Sequence, residues 1–508
     1  MPYAQILVNP VRSRLIGNLD RGILHFLDLG MSFAHPGAKY AKEKPIDFSN
    51  EKSVKKAMRI KNWDGRTHLL THATHEFSTG LLSRMQSLLT QCHVSFDVVD
   101  NRDVGATLQY NPMKIEHTLR DYQRYSIDVA KASRLGIIRA ATGAGKTRIA
   151  LGLMSEIERP ALFLVTQRSL MYQAADVFKE LLFFPETVGM IGDGHFDPRF
   201  ITVATIQSLC AALGISVGTS PDEEGEEDEP ESSKALAQAH AFEGVIQACL
   251  SRAEVVIVDE VQHVAAQTSL EIISKATRAA YRFGLSATDW RDDGQDMLIE
   301  AACGPRIVNI SLSMLVKSQV LVPAEIRTVL MAVHEHGDYK GAQKYVSVYK
   351  YFYVNNGAFH HQTVDINDKW LREGLTVLTL VTSVKHGQIL ERMHHERNLP
   401  AVFLSGSSST AERQQVLADV REGRLKHLIA TSIADEGLDL PRLDALNLAG
   451  GGKSSTRAYQ RIGRILRPSP GKTLGRVVDY RCPDHKFFET QFRRRLEIYK
   501  QEPAFTVL

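Results

Sequence analysis

A glycine-rich stretch between a short apolar strand and a helix is the first place where this sequence could do chemistry. It reads Ala140-Ala141-Thr142-Gly143-Ala144-Gly145-Lys146-Thr147 and follows the predicted strand Ile137–Ala140. Glycines let backbone N–H groups turn toward phosphate oxygens, and the N-terminus of the next helix adds positive potential. Lys146 would reach the outer phosphates and Thr147 would ligate Mg²⁺. The stretch predicts a nucleotide-phosphate loop in which Ala140 replaces the usual first glycine.

Two adjacent carboxylates end a second apolar strand, in the run Asp259-Glu260-Val261-Gln262-His263. Ligands of open α/β sheets gather at the carboxyl ends of the strands, so this pair should lie beside the phosphate loop. Asp259 can hold Mg²⁺, usually through water, while Glu260 can orient and deprotonate the water that attacks a phosphoanhydride. Alone, such a pair is more often a solvated helix start. The presence of Lys146 reverses that preference.

Three further polar positions are candidates. Ser286 and Thr288 end another predicted strand and could link the Asp259–His263 segment to a neighbouring domain, although a helix cap is an equal alternative. The Gln123 amide, ahead of the first strand, can both donate to and accept from an adenine edge. An exposed glutamine is the plainer explanation for Gln123 by itself.

An arginine-rich stretch near the C-terminus supplies cations. Gln460, Arg464 and Arg467 are spaced i, i+4 and i+7, which predicts that they share one helix face. Arginines in that array suit developing negative charge, as arginine fingers do, although a surface ion-pair helix has the same pattern. The segment 430–441 follows another predicted strand and contains hydroxyl side chains, Gly437 and Asp439. These groups could face both a nucleotide and a nucleic-acid backbone.

Two series of β-rich apolar runs with helical stretches between them must position these groups. This alternation is typical of parallel sheets, and it predicts an α/β fold with two tandem domains. The first series is 137–140, 161–166, 201–205, 254–259 and 282–287, and the second is 376–382, 400–405, 427–431, 444–449 and 476–480.

The predicted domains are a small α+β N-terminal domain at 1–115, a first α/β domain at 116–315 and a second at 316–508. An acidic stretch within 214–233 predicts a surface loop, and 334–356 reads as an insertion. Beyond Asp484 the pattern predicts a final helix that exposes Arg493, Arg494 and Arg495.

Composition narrows the class of protein. The 508 residues are 44% hydrophobic and 23% charged, which is ordinary for globular domains. The five cysteines are scattered, which excludes a disulfide framework and favours a reducing, cytoplasmic setting. No apolar stretch is long enough to span a bilayer, so no membrane partner is expected. The net charge of +3 includes an acidic run at 222–231, so the remaining chain is more basic and hints at a polyanion partner.

The ordered set of motifs resembles the superfamily 2 helicases over about residues 116–480. The resemblance implies two RecA-like domains that close on ATP and Mg²⁺ and move along a nucleic-acid strand. It implies ATP contacts from Gln123, residues 142–147, Gly437 and Asp439, with Lys146, Asp259, Glu260, Arg464 and Arg467 in catalysis and Thr147 and Asp259 at the metal. Coupling would fall to His263, Ser286, Thr288 and Gln460, and strand contacts to Thr166, Gln167, Arg168, Thr205, Gln207, Thr382 and Thr431.

Three shorter blocks look more specifically like the phage UvsW-type branched-DNA helicases. They are Lys61-Asn62-Trp63-Asp64-Gly65-Arg66, Phe283-Gly284-Leu285-Ser286 and Arg291-Asp292-Asp293-Gly294, taken together with the 460–467 stretch. In that family an N-terminal domain precedes the motor, and ATP hydrolysis drives branch migration, fork regression and annealing or unwinding. The resemblance implies DNA as partner, and a monomer is favoured.

The N-terminal region carries a candidate surface for a branch. After Ser49-Asn50, which can cap a helix, Lys52, Lys55, Lys56 and Arg59 fall at i, i+3, i+4 and i+7. We call these four residues the basic stripe. A phosphate backbone would suit it, and a solvated helix face is an equally good explanation from sequence alone.

Other functions remain open at this point. An RNA helicase is one, although Asp259-Glu260-Val261-Gln262-His263 departs from Asp-Glu-Ala-Asp. The motor subunit of a restriction or defence system is another, although no Glu-x-Lys triplet of the nuclease kind occurs. A scaffold with an inactive motor is disfavoured because Lys146, Asp259, Glu260 and Arg464 are all present.

Overall fold

The computed structural model describes residues 2–35, 63–102, 119–215, 240–262, 266–287, 296–333, 344–431, 443–452 and 455–508. By backbone contacts these residues fall into two compact units. Unit 1 runs to Asn309 without Ala140–Lys146, and unit 2 comprises Ala140–Lys146 and Ile310–Leu508. Within the described ranges, no helix has the length and apolar character that a membrane crossing requires.

Unit 1 begins with a four-stranded sheet in the order β5-β2-β1-β6, in which β1 and β6 are parallel and the other pairs antiparallel. Its core includes Ile6, Leu27, Phe77 and Met85. A separate short ladder joins β3 to β4. The elements are β1 (Tyr3–Val8), β2 (Arg12–Gly17), α1 (Arg21–Gly30), β3 (Ser32–Ala34), β4 (Arg66–His68), β5 (Glu76–Ser78), a 3₁₀ turn (Thr79–Leu81), α2 (Leu82–Gln91) and β6 (Ser95–Asp100).

An eight-stranded sheet forms the rest of unit 1, in the order β10-β9-β11-β8-β12-β13-β7-β14. The pairs from β9 through to β7 are parallel, and β10 joins antiparallel to β9. The elements are α3 (Asp121–Ser133), β7 (Leu135–Ala140), α4 (Lys146–Ile157), β8 (Ala161–Val165), α5 (Arg168–Leu181), β9 (Val188–Gly192), β10 (His195–Asp197), β11 (Ile201–Thr205), α6 (Ile206–Leu213), α7 (Glu243–Arg252), β12 (Val255–Val258), α8 (Ala266–Lys275), β13 (Tyr281–Ser286), α9 (Asp296–Cys303) and β14 (Arg306–Ile310).

Unit 2 contains a seven-stranded parallel sheet in the order β17-β18-β16-β19-β20-β15-β21. Its elements are α10 (Leu312–Lys317), β15 (Ala324–Leu330), α11 (Tyr345–Tyr349) with a π-helical turn (Lys350–Val354), α12 (Gly357–Arg372), β16 (Val377–Leu380), α13 (Val384–Glu396), β17 (Val402–Leu404), α14 (Thr410–Glu422), β18 (His427–Ala430), β19 (Ala445–Leu448), α15 (Ser455–Arg464), β20 (Gly475–Arg481), α16 (Lys486–Gln501) and β21 (Phe505–Val507).

The predicted α/β fold class is confirmed, with a small α+β region ahead of two parallel-sheet units. Every residue of the central strands β8, β12, β16 and β18 is buried, which is why these strands read as continuous apolar runs. All ten predicted strands are present within one or two residues. The sequence pattern missed β9, β10, β14, β15 and β21. The division at residue 115 stays a prediction, because the N-terminal region groups with the first α/β domain in unit 1.

The N-terminal sheet packs directly on α9 of the larger sheet. The Ser78 hydroxyl donates to the Ala301 carbonyl, and Arg84 donates to the Glu300 carboxylate at 3.2 Å from Nε and 2.5 Å from Nη2. Ala301 itself is fully buried in the N-terminal core. The two parts of unit 1 therefore share apolar packing as well as polar contacts.

Gly80 makes the closest of these approaches, and it provides a test of the packing. A Cβ at Gly80 would collide with the carbonyl oxygens of Glu300 and Ala301, which are backbone atoms and cannot rotate away. We expect Gly80→Ala to lower the free energy of unfolding by about 1–3 kcal/mol, as overpacking does. Denaturant unfolding measures this change. The matched control is Gly244→Ala in α7, where a Cβ meets open space and a small gain in stability is expected. Equal behaviour of the two variants would contradict the close packing.

Candidate ATP site and nucleic-acid interface

The glycine-rich stretch forms a tight loop between β7 and α4. Gly143 and Gly145 have φ values of 87° and 79°, a region that glycine adopts without strain. The loop is closed by a hydrogen bond from the Ala144 N–H to the Ala141 carbonyl at 3.0 Å. Because α4 begins at Lys146, its first N–H groups have no helical partners. The loop has the backbone conformation and the helix N-terminus that a phosphate cradle needs.

Asp259 and Glu260 occupy a turn directly after β12. The Asp259 N–H donates to the Leu164 carbonyl of β8 at 2.8 Å, which keeps the turn at the end of the sheet. Glu260 has a φ of 45°, a left-handed conformation that is uncommon for a residue with a side chain. The Gln262 amide donates to the Glu260 carboxylate at 2.6 Å. Both carboxylates are half-buried, so the turn presents two oriented oxygen ligands.

The sheet order brings these segments to one edge. β12, β13 and β7 are consecutive and parallel, so the Asp259–Glu260 turn, Ser286 and the phosphate loop all follow carboxyl ends on the same side of the sheet. Ser286 is buried at the last position of β13. Thr166 and Thr205 follow or end the parallel strands β8 and β11, further along that edge. The parallel topology thus places the strand ends that precede these predicted residues along one edge of the sheet.

Two polar atoms at this edge are buried without a hydrogen-bond partner in the described chain. They are Thr166 Oγ1, just beyond β8, and Gln207 Oε1, in the first turn of α6. Such atoms cost roughly 1–3 kcal/mol each when they stay unsatisfied, so native proteins usually pair them with protein, water or ligand. Arg168 lies beside them in sequence, and its Nη1 is 3.6 Å from Asp193 Oδ1. Gln167 is half-buried as the residue preceding α5.

Two predicted ligand contacts have structural roles in this structure. Thr205 is fully buried and its hydroxyl accepts the Ser208 N–H at 3.4 Å, so it caps α6 and offers no surface to a strand. Gln123 is also buried, and its Oε1 accepts the Arg120 N–H at 3.0 Å as part of the capping of α3. Both oxygens cap helices, and the alternative of an exposed glutamine at position 123 is wrong because this side chain is buried.

The helix that contains the arginine stretch ends earlier than the spacing of Gln460, Arg464 and Arg467 predicts. α15 ends at Arg464, and the chain then turns through a hydrogen bond from the Ile465 N–H to the Ile462 carbonyl. Arg467 therefore lies beyond the helix, and the predicted common face of Gln460, Arg464 and Arg467 is wrong for its last member. Burial lowers the pKa of Arg467, which remains a cation at neutral pH.

α15 also lies against part of the phosphate loop, which groups with unit 2. A Cβ built on Gly463 would be 2.8 Å from the Thr142 Cβ. The absence of a side chain at Gly463 allows this close approach. Arg464, the next residue, is half-buried, and Gln460 is half-buried one turn earlier.

Thr382 and Thr431 occupy different surroundings in unit 2. Thr382 follows β16, and its hydroxyl contacts the Tyr349 hydroxyl and the Gly450 carbonyl, the latter at 3.2 Å. Thr431 follows β18 and is almost buried, with its N–H donating to the Leu404 carbonyl. Thr382 is thus held by the protein itself, through a tyrosine of the predicted insertion.

A buried ion pair that the sequence analysis missed supports the chain ahead of α15. Arg495 donates to both Asp479 oxygens at 2.8 Å and to the Gly452 carbonyl at 2.9 Å, and the Tyr499 hydroxyl donates to Asp479 at 3.0 Å. Burial alone would lower the pKa of Arg495, but Asp479 raises it above the usual value. The expectation that Arg495 is exposed is wrong, because its helix face packs on β20. The sequence did contain a signal for this burial, because Arg495 is spaced i+7 from Phe488 and i+3 from Phe492 and so shares their face of α16.

Eight predicted residues lie outside the described ranges. They are the basic stripe (Lys52, Lys55, Lys56 and Arg59), His263, Thr288, Gly437 and Asp439.

Two family models match the chain. "Type III restriction enzyme, res subunit" matches residues 116–290, and "Helicase conserved C-terminal domain" matches residues 362–469. The first match covers β7 to β13 of the eight-stranded sheet, and the second covers β16 to β19 of the seven-stranded sheet. Together they contain the phosphate loop, the Asp259–Glu260 turn and Arg464.

Similar proteins include two helicases from archaeal systems. Putative helicase 22 of a Sulfolobus islandicus filamentous virus is 26% identical over 76% of this chain and 67% of its own length. The DNA 3'-5' translocase XPB2 of Sulfurisphaera tokodaii is 24% identical over 77% of this chain and 87% of its own length.

Among solved structures, a fragment of a putative HsdR subunit of a type I restriction enzyme from Vibrio vulnificus has a TM-score of 0.51. It is 17% identical and the similarity covers 80% of this chain and 73% of that one. The similarity to the crystal structure of T4 UvsW covers 99% of this chain and 99% of that one, with 17% identity and a TM-score of 0.43.

The two matched domains, the relatives and the two parallel sheets lead to one conclusion. The chain contains both helicase-type domains and resembles the superfamily 2 helicases, which supports an ATP-dependent helicase.

Proposed function

We propose that this helicase is a DNA translocase that uses ATP and Mg²⁺ to remodel branched DNA in replication, recombination or repair. Fork regression, branch migration, unwinding and annealing are the reactions that this would include. DNA is favoured over RNA because relatives that align with most of this chain are described as DNA 3'-5' translocases and helicases. The observation that carries the proposal is the row of strand ends that precede the proposed catalytic groups at one edge of a parallel sheet, together with the close packing of the N-terminal region on α9.

The ATP site would be built from the phosphate loop and the Asp259–Glu260 turn. Backbone N–H groups of the loop and the α4 N-terminus bind phosphate oxygens, and Lys146 adds a cation at the outer phosphates. Thr147 and Asp259 offer the oxygen ligands that Mg²⁺ prefers, so the residues present fit this ion. Bound there, Mg²⁺ would neutralise charge on the phosphates.

Glu260 would act on the attacking water. Its carboxylate accepts a hydrogen bond from the Gln262 amide, and it would orient the water and accept its proton. Glu260 itself has a left-handed backbone conformation, with a φ of 45°. Gln262 is therefore a positioning residue in this scheme.

Strand contact would centre on the unsatisfied atoms at the same edge. The Thr166 hydroxyl can donate to a phosphate, and the Gln207 carbonyl oxygen needs a donor such as a sugar or base group. Arg168 adds a cation nearby in sequence. Contacts to phosphate and sugar carry no base information, so binding should be largely independent of DNA sequence and should weaken steeply with salt.

Branch recognition is assigned to the N-terminal region. A motor alone has no reason to distinguish a junction from plain duplex, whereas a second surface held at a fixed position on the first sheet can do so. The packing of Gly80 and Arg84 on α9 holds this region on the motor. The basic stripe, in the segment that connects β3 to β4, is the proposed contact.

A second candidate is the motor of a restriction or defence system. The family model over residues 116–290 carries a restriction-subunit description, and the HsdR fragment has the same fold. Such a motor would cleave DNA only with a nuclease partner. Incubating the purified chain with supercoiled plasmid, ATP and Mg²⁺ separates the two: remodelling without cleavage supports the translocase, and cleavage on addition of a cellular partner supports the restriction motor.

The decisive experiment is a parallel ATPase assay with single-stranded DNA, duplex, forks, four-way junctions and RNA. Stronger stimulation by branched DNA than by equal lengths of linear DNA supports the proposal. Stimulation by RNA alone would replace it with the RNA-helicase alternative, and equal stimulation by all DNA would remove the branch-specific part.

Substitutions at the proposed ATP site give the first test of residue roles. We expect Lys146→Ala and Glu260→Gln each to reduce DNA-stimulated kcat at least 100-fold, because one removes a cation from the phosphates and the other removes the base. Glu260→Gln keeps the side-chain shape and should still bind ATP, measured with a fluorescent nucleotide. Unchanged melting temperatures establish that both variants fold. Turnover within a few-fold of wild type in either variant would refute its assignment.

The arginines of the 460–467 stretch can be separated from the ATP-binding residues. If Arg464 and Arg467 stabilise the transition state, alanine at either position should lower kcat by 10-fold or more and change nucleotide affinity much less. Arg494→Ala, on the exposed side of α16, is the matched control and should behave as wild type. Parallel losses in affinity and kcat would instead indicate ground-state anchors.

The basic stripe is best tested by charge reversal, because deleting residues 1–115 would expose the apolar contact with α9. We expect Lys52, Lys55, Lys56 and Arg59 reversed to Glu to keep the ATPase activity on single strands and to weaken fork and junction binding at least 10-fold. The control reverses Lys486, Arg493, Arg494 and Lys500, four exposed cations of α16. Junction binding that is equal in wild type and the stripe variant would leave this segment without a role in branch recognition.

A further inference from the structure

Asp28, His68 and His72 form a cluster outside every helicase motif. Asp28 lies in the last turn of α1, His68 ends β4, and His72 lies in the turn between β4 and β5. One possible ligand atom from each residue lies within 4.8 Å of the other two. We refer to these three residues as the Asp28 cluster.

The Asp28 carboxylate is at the centre of this cluster. Its Oδ2 atom is 2.8 Å from His68 Nδ1 and 3.6 Å from His72 Nε2. The Asp28 side chain is only 5% exposed, whereas His72 is 76% exposed. The cluster thus has a buried anionic side and an open side toward solvent.

The Asp28 Oδ1 atom is buried and lacks a hydrogen-bond partner in the described part of the chain, while His68 Nδ1 lies 2.8 Å from Asp28 Oδ2. A buried carboxylate oxygen is costly to leave unsatisfied. Carboxylate oxygens and imidazole nitrogens are both ligand atoms that bind divalent metals.

Asp64 gives His68 the orientation that metal-binding histidines have. His68 Nε2 lies 2.9 Å from Asp64 Oδ2, and Asp64 Oδ1 accepts the Arg66 N–H at 2.9 Å. If Nε2 keeps its proton for Asp64, Nδ1 can give up its own proton and bind a metal on the side that faces Asp28. A carboxylate behind the second ring nitrogen is the usual support of a metal-ligating imidazole, because it fixes the tautomer and raises ligand basicity.

We propose that Asp28, His68 and His72 bind one divalent ion of the Zn²⁺ class, with Asp64 as the positioning residue of His68. Two imidazole nitrogens and one carboxylate suit Zn²⁺ and its first-row neighbours, while Mg²⁺ and Ca²⁺ prefer oxygen ligands alone. Three protein ligands leave a fourth position for water. The exposure of His72 provides the entry path for the ion.

The ion would connect α1 with the chain on the C-terminal side of β4. Residues 36–62, which contain the basic stripe, join β3 to β4 in the sequence. Metal binding would therefore stabilise the frame from which that segment extends. This inference does not depend on the proposed branch specificity, because its readout is metal binding and not ATP hydrolysis.

The test uses the full-length chain without nucleotide, stripped of metal by a chelator. Titration with Zn²⁺ against a chromophoric indicator should give one bound ion per chain, and Co²⁺ substitution should give visible absorption bands of a low-coordinate nitrogen–oxygen site. His72→Ala and His68→Ala should weaken Zn²⁺ binding at least 10-fold. Asp64→Asn should weaken it by roughly 10–100-fold, as loss of a supporting carboxylate does.

His93→Asn is the matched control, since His93 is an exposed histidine of the same region in a left-handed conformation that asparagine accepts. It should bind Zn²⁺ as wild type does. His72→Ala keeps the test valid if His68→Ala fails to fold, because His72 is largely exposed. A wild-type chain that binds no Zn²⁺, or a His72→Ala variant with wild-type affinity, would overturn the site and leave the Asp28 cluster as an ion-pair network.

Discussion

The parallel pairing of β11, β8, β12, β13 and β7 is the constraint on which the rest of unit 1 depends. Parallel neighbours require a crossover connection after each strand, so every carboxyl end lies at one edge and every return lies at the other. A loop that follows any of these strands therefore begins at the same edge of the sheet. This is how the carboxyl ends of β7 and β12, which are more than 100 residues apart in sequence, come to lie at one edge of the sheet.

Local conformation at that edge departs from regular structure where the chemistry requires it. The phosphate loop needs two glycines at positive φ so that its N–H groups converge. Glu260 adopts a left-handed conformation without being glycine, at a cost of order 1–3 kcal/mol. The hydrogen bond from Asp259 to Leu164 and the one from Val261 to Leu285 hold the turn on both sides. The neighbouring strands thus stabilise a conformation that the turn would not adopt alone.

In unit 2, a buried ion pair between Asp479 and Arg495 holds the chain that leads into α15. The Asp479–Arg495 pair is buried, and it is stable there because the two hydrogen bonds of one bidentate contact, the Tyr499 hydroxyl and the Gly452 carbonyl satisfy nearly all its polar atoms. Removing one partner would leave a buried charge and cost about 3–5 kcal/mol. The Gly452 contact fixes the chain shortly before α15. The predicted insertion contributes as well, because Tyr349 holds the Thr382 hydroxyl at the end of β16.

The sequence by itself determined the fold class, ten strands of the two larger sheets and the ATP-site motifs, because buried parallel strands appear as apolar runs and phosphate loops as spaced glycines. It did not determine β9, β10, β14, β15 and β21, which lie at an edge of their sheets or next to one. Of these, β14 and β15 have mixed burial patterns that resemble those of loops. Only the tertiary structure decided which polar groups are free to act. Thr205 and Gln123 became helix caps, Arg467 lay beyond the end of its helix, and Arg495 became buried. It also brought Asp28, from α1, to His68 and His72 of a later hairpin, which no local spacing encodes. Residue type and spacing specify what a side chain can do, but burial and the nearest hydrogen-bond partner are properties of packing between distant segments.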